Sequence, residues 1–301
     1  MGISIALVCL FVGFLLQRAP TFPSQKIAQL GTSYLIYLVL PALALLHLPP
    51  LVLSWQLLLP ISAAWLTFLF SWGLFGFLGR KYGWEKGVTG CLILVAGLAN
   101  TSFLGFPIIE ALYGKEGLAT ALLIDQGGSF LLASTLSLWI GARYGHVPTE
   151  GTSLLLKMVQ FPPFVFLVGG ILLSALGLRL PTALLPLLEG IASTMAPVAL
   201  GVIGLRLSWD KNWLQSRFLW YGLGFRLMLA PGLVWVIYAL LMPTSSLAYK
   251  VAVLESGMAP MITGALLAAQ FGLQPRLASL LAGLGVPLSA LSLLFWYLVL
   301  G

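Results

Sequence analysis

Ten apolar segments, 16 to 26 residues long, follow one another at 2–17, 27–46, 54–79, 88–112, 119–143, 155–177, 184–207, 217–241, 249–271 and 276–300. A helix of about 20 residues crosses the ~30 Å hydrocarbon core of a bilayer. The pattern therefore predicts an all-α integral membrane protein with ten transmembrane helices. The loops between them are too short for a soluble domain. Charge agrees, since only 8% of the residues are Asp, Glu, Lys or Arg. A soluble domain carries about 25%, because its surface must be hydrated.

The formal net charge is +7, but the basic residues stand singly between apolar runs and form no patch for nucleic acid. Their distribution orients the chain instead. Of the 15 Lys and Arg, 11 fall in loops after odd-numbered segments, and three (Lys115, Arg179, Lys250) follow even-numbered ones. Loops rich in Lys and Arg stay cytoplasmic, which places both termini outside a cell membrane, inner or plasma. Arg226 lies about two turns inside the eighth segment, where its long stem is expected to snorkel to the inner side. No basic residue precedes 2–17, so that segment reads as a retained span and not a secretory signal. Trp55, Trp84, Trp139, Tyr144, Trp209, Trp213 and Tyr249 stand near segment ends, where aromatic rings anchor at the interface.

Segments four and nine share one plan. GCLILVAGLANTSFLGFPIIEALYGKEGLA and YKVAVLESGMAPMITGALLAAQFGLQPRLA are each apolar, then interrupted by small and polar residues around a Pro, then apolar up to Gly114 or Gly272. They lie five spans apart, and an odd number of spans per repeat inverts the second half relative to the first. The halves are 1–143 and 155–301, a 5+5 inverted repeat with paired broken helices, the plan of a secondary transporter. Segments one and six, and two (Pro41) and seven (Pro197), fit the same scheme.

Proline lacks an amide hydrogen and clashes with the carbonyl four residues earlier. In lipid such backbone survives only where it lines a cavity. Asn100, Thr101, Ser102, Gly105 and Pro107, with Gly257, Pro260 and Thr263, are therefore candidate substrate-binding residues. Two half-helix N-termini there would favour an anion, and freed carbonyls a cation. Asp125 and Glu255 are acids inside spans without a basic partner beside them, which is costly unless they bind a cation or a proton. With Gln126 and Ser256 they make an all-oxygen candidate site for Na⁺, or for H⁺ on one carboxylate. Glu110 reads as interfacial.

No cofactor is expected beyond Na⁺ as a candidate coupling ion. Cys9 and Cys91 show no metal or disulfide spacing. HExxH, GxSxG and GxxxxGK[ST] are all missing from the sequence, so an enzyme is not expected.

These residues resemble the auxin efflux carrier family, which includes the plant PIN-type carriers and many bacterial permeases. YLIYLVLPALALL, ANTSFLGFPIIEALYGKEG, APVALGVIGLRLS and ESGMAPMITGALLAAQFGLQPRLAS are similar to its segments, in order, along nearly the whole chain. The resemblance implies a scaffold of spans 1, 2, 6 and 7 and a transport domain of spans 3–5 and 8–10. It also implies elevator-type alternating access, an organic anion as substrate and a homodimer. Asn100 and Pro107 would then form half of a carboxylate site, and Pro260 would mark the other half. ESGMAP departs from that family and resembles the crossover of bile acid:sodium symporters, which share the fold and use the Glu for sodium. The alternative is a membrane sensor that binds its ligand in this fold without net flux.

Overall fold

The computed structural model describes residues 2–19, 21–49, 58–145, 162–206 and 216–301. Among them every regular element is helical: α1 (Gly2–Gln17), α2 (Ser24–His47), α3 (Leu58–Lys81), α4 (Lys86–Ala96), α5 (101–113), α6 (115–144), α7 (Pro162–Ala175), α8 (Thr182–Arg206), α9 (Arg217–Ala239), α10 (Leu247–Ser256), α11 (Ile262–Gln270) and α12 (Pro275–Leu300). Gly114 separates α5 from α6 with φ 65° and ψ −160°, a conformation open to glycine because it has no Cβ.

Six helical runs among the described residues are long and apolar enough to span a membrane, the α5–α6 run counting as one despite its kink at Gly114. The expected spans 88–112 and 249–271 are not among them, because each is split into two helices. Trp55, Trp209 and Trp213 lie outside the described residues.

Three of the local widenings to π geometry share a cause. The turns Leu35–Val39, Thr101–Gly105 and Phe225–Leu229 each end two residues before a proline: Pro41, Pro107 and Pro231. A wider turn moves the carbonyl that the proline ring would strike. These prolines therefore sit within helices.

The described residues fall into two compact units. The first draws on Met1–Leu57, Ser102–Leu122 and Thr152–Leu207. Here α1 lies against the C-terminal half of α8 with backbones nearly touching. A Cβ on Gly13 would stand 2.5 Å from the Gly201 carbonyl oxygen, and one on Gly204 would stand 2.2 Å from that of Leu10. Small residues at such crossings let membrane helices approach closely. In the same unit α7 rests on α2, with Gly170 over Ala44 and Leu48.

The second unit draws on Leu58–Thr101, Leu123–Gly151 and Ser208–Gly301. α3 packs on α10 and on the Asp125–Phe130 turn of α6, and α11 and α9 pack on α12. Leu92, Ile93, Val253 and Leu254 are fully buried here. Tyr249 belongs to this core and is no interface anchor: it is 1% exposed, and its hydroxyl donates to the Trp235 carbonyl at 2.9 Å.

Candidate functional site at the helix crossover

α4 ends at Ala96 and α10 ends at Ser256, and the chain unwinds after each, around Leu98–Asn100 and Met258–Met261. The two unwound stretches meet as an antiparallel bridge between Ala99 and Pro260. The Asn100 amide donates to the Ala259 carbonyl at 2.8 Å, and the Met261 amide donates to the Leu98 carbonyl at 2.9 Å. Backbone groups that lipid could not solvate are thus satisfied within the protein. Pro260 occupies the position between the two hydrogen bonds, where its missing N–H costs nothing. Its ring fits because residue 285 is glycine; a Cβ there would lie 2.3 Å from Pro260 Cδ.

Arg226 ties the two breaks together. It sits in the π turn of α9 and is 0% exposed. One guanidinium nitrogen donates to the Gly97 carbonyl at 2.9 Å, and the other donates to the Ser256 carbonyl. Both acceptors lie at C-terminal helix ends, where the macrodipole is negative. Snorkelling is thereby overturned: the side chain turns inward because two carbonyls without helical partners compete better than a distant interface. The sequence held a signal for this, since two broken helices leave carbonyls in need of donors and Arg226 is the cation inside a neighbouring span.

The acids lie close by. Thr101 Oγ1 donates to one oxygen of Asp125 at 2.5 Å, and Gln126 Nε2 donates to the other at 2.6 Å. Glu255 is 0% exposed, and neither of its carboxylate oxygens has a hydrogen-bond partner among the described residues. It is near enough to Asp125 for their charges to interact. A cavity of about 10 Å³ opens beside it, lined also by Thr67, Gly97, Thr101, Ser129 and Ser256. That volume suits one water-sized occupant. Thr67 and Ser129 bring hydroxyls that a reading along segments four and nine alone does not reveal.

The crossover thus gathers Asn100, Thr101, Asp125, Gln126, Glu255, Ser256, Gly257 and Pro260 in the second unit, all buried. Ser102, Gly105 and Pro107 follow along the chain in the restarted helix and belong to the first unit. The unwinding therefore precedes Pro107 and does not occur at it. Thr263 is exposed on the first turn of α11 and does not line the small cavity. Glu110, exposed on α5, lines a hollow of about 680 Å³ in the first unit with His47, Lys115 and Glu189. Among the described residues no group of three or more His, Cys, Asp or Glu could hold a metal ion.

A family model described as membrane transport protein matches residues 3–297. Two relatives are described as uncharacterized transporters. One, from Methanocaldococcus jannaschii, is 32% identical over 214 residues, covering 68% of this chain and 67% of its own. The other, from Methanothermobacter thermautotrophicus, is 30% identical over 229 residues, covering 73% of this chain and 71% of its own.

Proposed function

Because this chain belongs to the membrane transport protein family, the auxin efflux carrier family, we propose that it is a secondary transporter that moves a small organic anion, a carboxylate, together with a monovalent cation. Glu255 carries the reading: a fully buried carboxylate without a partner among the described residues, beside a hollow for one ion. An ionised carboxylate in that position is costly until a cation joins it. Asp125 and Glu255 set two negative charges against the single positive charge of Arg226, so one Na⁺ or one H⁺ balances the crossover. In the same reading Asn100, Thr101, Ser102, Gly105 and Pro107, with Gly257, Pro260 and Thr263, offer amide ends and hydroxyls to the substrate carboxylate. Asp125, Gln126, Glu255 and Ser256 serve the cation.

Ten spans in two inverted halves and elevator-type alternating access complete the proposal. Its support is the exchange of partners within the first unit. α1 pairs with α8 and α7 pairs with α2, and a shift of five spans turns one pair into the other. Spans 1, 2, 6 and 7 act as scaffold and spans 3–5 and 8–10 as transport domain, in a homodimer with both termini outside.

The test is uptake by the purified protein in liposomes, using a panel of labelled short mono- and dicarboxylates under a sodium gradient, a proton gradient or neither. Accumulation of one class driven by one gradient, lost in Glu255→Gln, is expected. Ligand binding without flux under any gradient would favour a sensor instead.

A further inference from the structure

A second hollow lies in the second unit, where the end of α3, the start of α4 and the end of α6 meet. Its volume is about 480 Å³, and Arg80, Lys86 and Arg143 line it. None of the three forms an ion pair among the described residues. Arg80 commits only its Nε, which donates to the Gly76 carbonyl at 3.1 Å. Among the described residues no carboxylate lines the hollow. Glu85, the acid next to Lys86, accepts from Gln274 Nε2 at 2.9 Å. Helix dipoles account for a cation at the end of α3 and another at the end of α6. They account neither for Lys86 near the start of α4 nor for the open volume.

The walls are aromatic. Trp72, Trp84, Trp139 and Tyr144 line the hollow, and the rings of Trp72 and Trp139 lie 5.3 Å apart. Trp65 and Trp296 donate their indole N–H to backbone carbonyls; Trp72, Trp84 and Trp139 make no such bond among the described residues. The floor is backbone, because Gly76, Gly79 and Gly83 bring no side chain. Three cations without an ion pair and indole donors without a hydrogen bond among the described residues, around a hollow of this size, suit a phosphate group. Phe77 (58% exposed) and Leu69 (48% exposed), on α3 alongside, offer apolar surface to acyl chains.

We infer that this hollow binds the phosphate headgroup of an anionic phospholipid. The basic loops put it in the cytoplasmic leaflet, where cationic pockets meet anionic lipid. The site is independent of the crossover, since the hollow shares no lining residue with the cavity beside Glu255.

Native mass spectrometry of the full-length protein tests it, with detergent micelles doped at equal mole fraction with phosphatidylglycerol or phosphatidylcholine and a third arm of soluble glycerol phosphate. Retention of phosphatidylglycerol over phosphatidylcholine is expected, falling about fivefold for each of Arg80→Gln, Lys86→Gln and Arg143→Gln, as a worth of ~1 kcal/mol per basic residue implies. Gly76→Leu keeps every charge and fills the floor, where a Cβ meets nothing closer than 3.8 Å; it should lose the lipid as well. Equal retention of the two lipids by the wild type, which needs no variant to fold, would overturn the assignment. So would binding of glycerol phosphate as strong as that of the lipid.

Discussion

The two broken helices solve one problem with different means. The first break is flanked by π turns on both sides, Leu92–Ala96 and Thr101–Gly105, and carries only neutral polar side chains, Asn100 and Thr101. The second is flanked by regular α-helix, holds its proline inside the unwound stretch, and carries a charge, Glu255. Neither stands alone. Each lends the other a backbone hydrogen bond, and Arg226 takes one carbonyl from each. The difference teaches that one break can be held by neutral groups and backbone alone, while the other keeps a buried acid at its edge.

The comparison breaks most severely at the residue both halves share. Arg226→Ala leaves two buried carbonyls without donors and should cost about 3 kcal/mol in thermal unfolding of the purified protein. Arg226→Lys, a compact cation without the planar fork, should recover only part of that. Next comes the proline side. Gly285→Ala drives a methyl into Pro260 and should cost about 2 kcal/mol. Gly257→Ala, whose Cβ would stand 3.3 Å from Pro231 at an ordinary φ of −95°, should cost clearly less. Equal costs would mean that the Pro260 ring is not the tighter contact.

Smaller effects sharpen the neutral side. Thr101→Val keeps the shape and removes the donor to Asp125, worth about 1.5 kcal/mol for a bond to a charged group. Asn100→Ala should weaken binding of the organic anion at least tenfold, about 1.4 kcal/mol, while the response to cation persists. Thr263→Ala, at an exposed position, should change stability by less than about 0.5 kcal/mol. Its effect on flux decides whether Thr263 meets the substrate.

Much of this could be read from the residues. Gly and Pro inside apolar runs located both breaks, because lipid leaves unwound backbone few alternatives. Gly114 and Gly272 closed the restarted helices as expected, both with positive φ. The exact place of unwinding was not legible at Pro107. The π turn before it absorbs the clash, and the pairing partner of Leu98–Asn100 lies some 160 residues away in sequence. Arg226 was misread for a related reason: its partners are the Gly97 and Ser256 carbonyls, so the signal lay in the two breaks and in no side-chain pattern. Tyr249 was misread because closeness to a segment end says nothing about which face of the helix is buried.

The central claim is that Glu255 holds a cation which the protein carries with its substrate. Unfolding of purified wild type and Glu255→Gln, followed as sodium replaces choline at constant ionic strength and then as protons are supplied, tests it most directly. A ligand at 100 times its Kd stabilises by about 2.7 kcal/mol, so the wild type should gain stability with one of the two cations and the variant with neither. Identical responses of the two proteins to both cations would contradict the claim.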